Sequence, residues 1–211
     1  MKRLVLVALL MGGAGAGLAQ AQTWTIDPSH SAASFAVRHM MVSTVRGDMG
    51  KVTGTAVYNP QQPTAASVEA AIDVAGINTR EPSRDSHLRS PDFFDVARFP
   101  TIVFTSKKIE AAANGHYRIT GNLTMKGVTK EVVLDAEPMR PIIKDQQGVS
   151  RTGTTATTKI NRQDFGLTWS RTLDGGGLVV GDEVSVTIDV ELISPPPAGR
   201  CSPRRRRRDQ L

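Results

Sequence analysis

The stretch SRDSHLRSPDFFDVARFP, residues 83–100, holds three arginines, three aspartates, one histidine and three phenylalanines within eighteen positions. Two kinds of chemistry fit it. The charged groups could bind an anionic ligand, or they could pair among themselves while Phe93, Phe94 and Phe99 dock the segment onto the rest of the fold. Ser83 can cap a short helix with Asp85 in its first turn, and Ser90-Pro91-Asp92 can start a second with proline at its first position. Arg84, Arg89 and Arg98 have Asp85, Asp92 and Asp95 within reach. The physics favours a structural clamp. In its functional variant the clamp closes one end of a cavity and presents an arginine to a headgroup.

The other chemistry-bearing residues are sparse. His30, His39, His87 and His116 are the four histidines. Nine extended residues would separate His30 from His39 by roughly 30 Å, so the two cannot share a metal unless the chain folds back. Each reads as a hydrogen-bonded structural residue, and no metal site is expected. HExxH, paired CxxC and GxSxG are absent, so zinc-protease, zinc-ribbon and serine-hydrolase chemistry lack their signatures. Gly175-Gly176-Gly177 runs straight into a strand pattern without an intervening helix. It reads as a hairpin loop rather than a phosphate cradle.

The elements that must position these residues are strands. In Glu183 to Leu192, Val184, Val186, Ile188, Val190 and Leu192 alternate with Glu183, Ser185, Thr187, Asp189 and Glu191, the period of a half-buried strand. Val68, Ala70, Ile72 and Val74 alternate in the same way. Tyr117 to Lys126 and Val132 to Ala136 form a hairpin around Gly127-Val128. Further strands are expected at Thr23 to Ile26, Ser34 to Met40, Val52 to Tyr58, Thr101 to Ser106 and Arg151 to Ile160. Eight or nine strands on short turn-rich links, with almost no helical periodicity, indicate an all-β antiparallel sandwich or barrel. Inward positions such as Ala56, Ala70, Val74 and Ala136 are small or medium, and aromatics make up 5% of the chain. A lined cavity or two thin sheets packed together would each account for that lack of bulk.

The two ends have a different composition. Residues 1–21 carry Lys2 and Arg3, an apolar run from Leu4 to Met11, and small residues up to Ala21, the layout of a cleaved export signal. The run is short of the ~20 residues that span a bilayer. No cysteine near Ala21 could accept a lipid. Residues 195–211 are a Pro/Arg-rich tail expected to be disordered. Of the net charge of +6, two units belong to Lys2 and Arg3, and a net five to Arg200, Arg204–Arg208 and Asp209, so the body is left near −1. A basic footprint for nucleic acid is therefore missing from the domain. The tail either lies on an anionic membrane through Arg204–Arg208 or has no selected role. Cys201, the only cysteine, cannot staple the fold. Residues 22–194 suffice for one domain with its own core.

Five successive segments carry a resemblance: DPSHSAASFAVRHMMVSTVRGDMG (27–50), SRDSHLRSPDFFDVARFPTIVFTS (83–106), GNLTMKGVTKEVVL (121–134), INRQDFGLTW (160–169) and VGDEVSVTIDVEL (180–192). In this order the chain resembles the YceI-like family. The resemblance implies an extended, eight-stranded, lipocalin-like antiparallel barrel with a short helical excursion near residues 83–96. It also implies export to the bacterial periplasm and a cavity around a long apolar chain such as a polyisoprenoid or a fatty-acid amide. A binding protein without catalytic residues or cofactor, often a homodimer, completes the expectation. Binding would then follow from transfer of apolar surface, with Phe35, Val37, Ile72, Val74, Phe94, Phe104, Leu123 and Trp169 expected in the wall of the cavity and His39, Arg46, Arg84 and Arg162, the nearest polar candidates, at the headgroup. The competing readings are a stress-related periplasmic interaction protein, which would have a collapsed barrel and a protein partner, and an enzyme acting on an isoprenoid or quinone precursor. The enzyme would need two or three titratable groups converging in the cavity.

Overall fold

Period-two alternation becomes strand nearly everywhere it occurs. A computed structural model describes residues 21–172 and 176–194; residues 1–20 of the export-signal layout, the Pro/Arg-rich tail with Cys201, and Gly175 lie outside these residues. Eleven strands are present among the described residues: β1 Gln22–Ile26, β2 Ala32–His39, β3 Ser43–Asp48, β4 Lys51–Tyr58, β5 Ser67–Asp73, β6 Thr101–Ala111, β7 Tyr117–Met125, β8 Val128–Ala136, β9 Ile143–Lys144, β10 Ser150–Asn161 and β11 Val180–Ser194. One helix, α1 Pro82–Arg89, stands between β5 and β6. All pairings are antiparallel. Eight strands close a ring in the order β11-β1-β4-β5-β6-β7-β8-β10, with β10 returning to β11 over twelve register partners. Closure removes the exposed edges that an open sheet of this size would leave. The fold is the expected all-β antiparallel barrel, with three strands more than the ring itself needs.

The length of β11 explains two of the three extra strands, and the third, β9, pairs at the start of β10. Its C-terminal part pairs with β1 at Ile193 and Leu192, and its N-terminal part pairs with β2 from Asp189 to Val180. Thus β2 and β3 form a two-stranded ribbon beyond the ring. Two short alternating segments with a polar composition, β3 (STVRGD) and β9 (IK), carry too little apolar periodicity to be read from sequence.

The registers give the barrel two ends. Tyr58, Ser67, Ala111, Tyr117 and Ala136 lie at one; Lys51, Asp73, Thr101, Met125 and Val128 lie at the other. The second end is filled by Ile77, Phe93, Phe94, Phe165 and Leu167, all under 9% exposed. Here the 83–100 excursion acts as the clamp, with two local corrections. Glu81, not Ser83, caps α1 by accepting from the Ser83 N–H at 3.1 Å, and Pro82 takes the first turn. After Ser90 the chain makes turns rather than a second helix: Phe93 N–H and Asp95 N–H both donate to the Ser90 carbonyl.

The arginines of the clamp bind backbone more than carboxylate. Arg89 donates to the carbonyls of Ala75 (3.0 Å) and Ile77 (2.8 Å), and Arg84 to the hydroxyl (2.7 Å) and carbonyl (2.9 Å) of Thr79. Asp85 accepts from Thr79 N–H at 2.8 Å and from its hydroxyl at 2.5 Å. Only Arg98 with Asp95, at 3.2 Å, forms one of the expected pairs.

Candidate functional site

Inward-facing side chains of the ring do not meet in the middle. They enclose a cavity of about 170 Å³. Alternate residues of the ring strands line it, for example Ala56 on β4, Ala70 and Ile72 on β5, Leu123 on β7, and Ile188 and Val190 on β11. Small residues on β4 and β5 leave the space that larger ones would have filled. Several of the lining apolar residues, Ile72, Leu123, Ile188 and Val190 among them, are only partly buried although they point into the barrel. Their remaining exposed surface faces the cavity. An apolar void of about 150 Å³ stays dry and accepts apolar guests, so a space of this size and lining favours a hydrocarbon over water.

Two irregularities shape the lining. A bulge in β6 between Ser106 and Lys108 reverses the alternation, so that Ile109 faces inward after Ile102 and Phe104 have done so at even positions. Gly121 on β7 faces the Phe104 ring: a Cβ there would lie 2.5 Å from Phe104 Cζ and 2.6 Å from the Thr105 carbonyl oxygen. The missing side chain thus seats a phenyl ring that forms part of the cavity wall.

The ends of the cavity differ in chemistry. At the clamp end Met49, Val52, Ile102, Met125 and Ile160 are all under 9% exposed, which closes it. At the other end the lining includes Tyr58, Tyr117 and Glu137. Glu137 is half exposed, so this end reaches solvent; Arg140 stands 3.6 Å from its carboxylate. Burial raises the pKa of the Tyr58 phenol, and the neighbouring Tyr117 raises it further. The mouth thus offers two phenol hydroxyls and one acid–base pair.

Of the residues assigned to the wall, Ile72, Phe104 and Leu123 line the cavity. The other five do not. Val74 leaves β5 after Asp73, enters a short 3₁₀ turn and is fully buried at the clamp end. Phe94 is in the clamp core, and Trp169 packs on His87 and Phe93 with ring centroids 4.8 and 5.3 Å apart. Phe35 and Val37 sit on the β2–β3 ribbon, opposite Gly47 and Val45.

The assigned headgroup residues all lie at the clamp end, away from the mouth. His39 and Arg46 belong to the ribbon. Arg84 is held by Thr79. Arg162 is 4% exposed, and all five of its N–H donors are used within the protein: on the carbonyls of Gly181 (3.0 Å), Leu167, Trp169 (2.8 Å) and Val180 (3.3 Å), and on Asp182 (3.0 Å). It has no N–H left for a headgroup and acts as a staple. Tyr58, Tyr117, Glu137 and Met139 were missed by sequence reasoning. The two tyrosines stand at the ends of strands that alternation identifies, which was the available signal.

Outside the barrel, ligand atoms of Asp27, His30 and Glu191 come within 4.8 Å of one another, as a metal site would require. A cation is already there: Arg151 contacts Asp27 (3.2 Å), Glu191 (2.5 Å) and Asp145 (2.9 Å). The His30 contact, then the Ser29 N–H and Arg151, hold the Asp27 carboxyl at about 2 against its burial. Asp27, followed by the charge of Glu191, raises His30.

A family model for the YceI-like domain matches residues 24–192. A UPF0312 protein of Staphylococcus aureus is 30% identical over 169 residues, covering 80% of this chain and 96% of its own. A UPF0312 protein of a Shewanella species is 34% identical over 170 residues, covering 79% and 88%. Among solved structures, the YCEI protein of Campylobacter jejuni superposes with a TM-score of 0.62 at 31% identity, over 75% of this chain and 90% of that one. BcnA of Burkholderia cenocepacia (TM-score 0.67, 22% identity, 79% and 98%) and a polyisoprenoid binding domain from Saccharophagus degradans (0.60, 15%, 82% and 98%) share the fold.

Proposed function

The chain belongs to the YceI-like family, and on that premise we propose that it binds and carries, without transforming, one long-chain isoprenoid or an amphiphile of similar build in the periplasm. The observation that carries this reading is the cavity: apolar along its length, closed at the clamp end and reaching solvent beside Tyr58, Tyr117 and Glu137. Burying a prenyl chain there is favourable by roughly 25 cal/mol per Å² of apolar surface without any specific polar contact. The titratable groups of the lining stand at the mouth and not around the middle of the chain's path, which supports carriage over catalysis. The Saccharophagus degradans domain of the same fold is described as polyisoprenoid binding; fold transfers more reliably than ligand, so this supports the class of cargo and not its identity. The layout of residues 1–21 supports export.

Native mass spectrometry of the protein purified from its own compartment, followed by organic extraction, tests the proposal. A discrete excess mass that extracts as one isoprenoid or acyl species is the expected result. A bare protein mass, with no uptake of added long-chain prenols, would overturn it.

A further inference from the structure

The tip of the β2–β3 ribbon combines two costs that a protein ordinarily avoids. Met40, Met41 and Val42 are 42%, 63% and 80% exposed, three consecutive apolar side chains in solvent. Met40 and Met41 also have φ of 50° and 62°, the left-handed conformation that Asn-Gly adopts readily in a hairpin turn and that unbranched apolar residues rarely occupy. The turn is well held: Val42 N–H donates to the His39 carbonyl, and Met40 N–H to the Val179 carbonyl at 2.9 Å. Arg38 reaches from β2 to the Met41 carbonyl and the Thr44 hydroxyl, both at 3.1 Å. Nothing in the folding of the hairpin calls for methionine at these positions.

Charge along the ribbon itself is one-sided, and Asp182 on the adjoining β11 is paired with Arg162. Register pairs place Arg38 opposite Thr44 and Ala36 opposite Arg46, so both arginines lie on one face of the ribbon, with His39 at the base of the turn. Across residues 32–48 the one carboxylate is Asp48, at the far end from the tip. Exposed apolar side chains flanked by cations match a bilayer with anionic headgroups: the side chains enter the acyl boundary while the arginines meet phosphates.

We propose that Met40, Met41 and Val42 form an anchor that docks the barrel on an anionic lipid bilayer. This docking is independent of the cargo in the barrel. The tip belongs to the clamp end, so the Tyr58–Tyr117 end is left facing away from the membrane.

Co-sedimentation of the full mature chain with phosphatidylglycerol-containing vesicles tests the anchor, with Arg204–Arg208 present in every protein compared. Measurement at low salt and at roughly 1 M salt separates the tail from the tip, since screening at the higher strength shortens charge interactions to about 3 Å while apolar insertion persists. Met41→Asp with Val42→Asp should reduce partition about tenfold. Met40→Asn with Met41→Gly, which supplies the residues this turn prefers, should raise Tm by a few degrees and still reduce partition. Wild-type partition in either variant would overturn the anchor and leave the tail as the membrane contact. So would a switch from dimer to monomer in the variants with partition unchanged, which would make the tip an interface between two copies of the chain.

Discussion

Arg162 shows how far a residue's role can depart from its type. Sequence cannot distinguish an arginine aimed at a ligand from one folded back onto its own carbonyls, and the Ile160 to Trp169 segment gives no hint of the difference. With five donors satisfied inside the protein, Arg162→Ala strands several buried carbonyls and Asp182. Equilibrium denaturation should show a loss of about 3 kcal/mol, while any folded fraction retains its affinity for a neutral prenol. The pair Asp27 and His30 makes a pH prediction. Folding raises the His30 pKa above 6.5, so its stabilisation is complete below that pH and declines as pH rises through the raised value. The Asp27 carboxyl, lowered from 3.8 to about 2, contributes fully above 3.8 and loses its contribution as pH falls toward 2. The contact is thus worth most between about pH 4 and 6.5. In Asp27→Asn, NMR titration should find the His30 pKa lowered toward 6.5, with the charge of Glu191 still holding it up, and the decline in thermal stability above that pH should flatten. An unchanged His30 titration would show that Glu191 alone sets it.

At the scale of elements, alternation was legible wherever one face of a strand met an apolar interior. The run from Val184 to Leu192 reads directly as the inward face of β11, and the β7–β8 hairpin appears where Gly127 marks it. What alternation could not supply was curvature and partnership. The β6 bulge changes which parity faces inward, β3 has too few apolar residues to register, and Val74 belongs to a turn although it continues the pattern of β5. The clamp was legible as a clamp because three phenylalanines in one charged excursion have few other uses. Its charges were not, because backbone carbonyls outcompeted the aspartates for the arginines. Phe94 and Leu123 separate clamp from wall. Phe94→Ala should cost about 3 to 5 kcal/mol of stability with prenol affinity unchanged in the folded protein. Leu123→Trp, which fills the cavity from β7, should abolish uptake of a fluorescent acyl probe and leave Tm within a few degrees of wild type. Retention of uptake by Leu123→Trp would place the guest elsewhere.

For the whole molecule, the polarity of the barrel decides which cargo it favours. Sequence reasoning put the headgroup among arginines because cations suggest an anionic lipid; the registers put those arginines at the closed end, while the open end has Tyr58, Tyr117 and the Glu137–Arg140 pair. A chain that enters by the mouth therefore leaves its headgroup beside two phenol hydroxyls and a balanced ion pair. Two consequences follow for binding measured by displacement of a fluorescent probe. Affinity should rise with each added isoprene unit while the unit still fits, by up to ~0.8 kcal/mol per buried CH₂, and then level off once the cavity is full. Charge should matter little: a prenol and its phosphate should bind within about tenfold of each other, and raising salt from about 0.05 to 0.5 M should change Kd by less than about threefold, since no net charge at the mouth is available to be screened. Phosphate-dependent binding that weakens steeply with salt would instead require a cationic seat for the headgroup, and would return the arginines of the clamp end to the site.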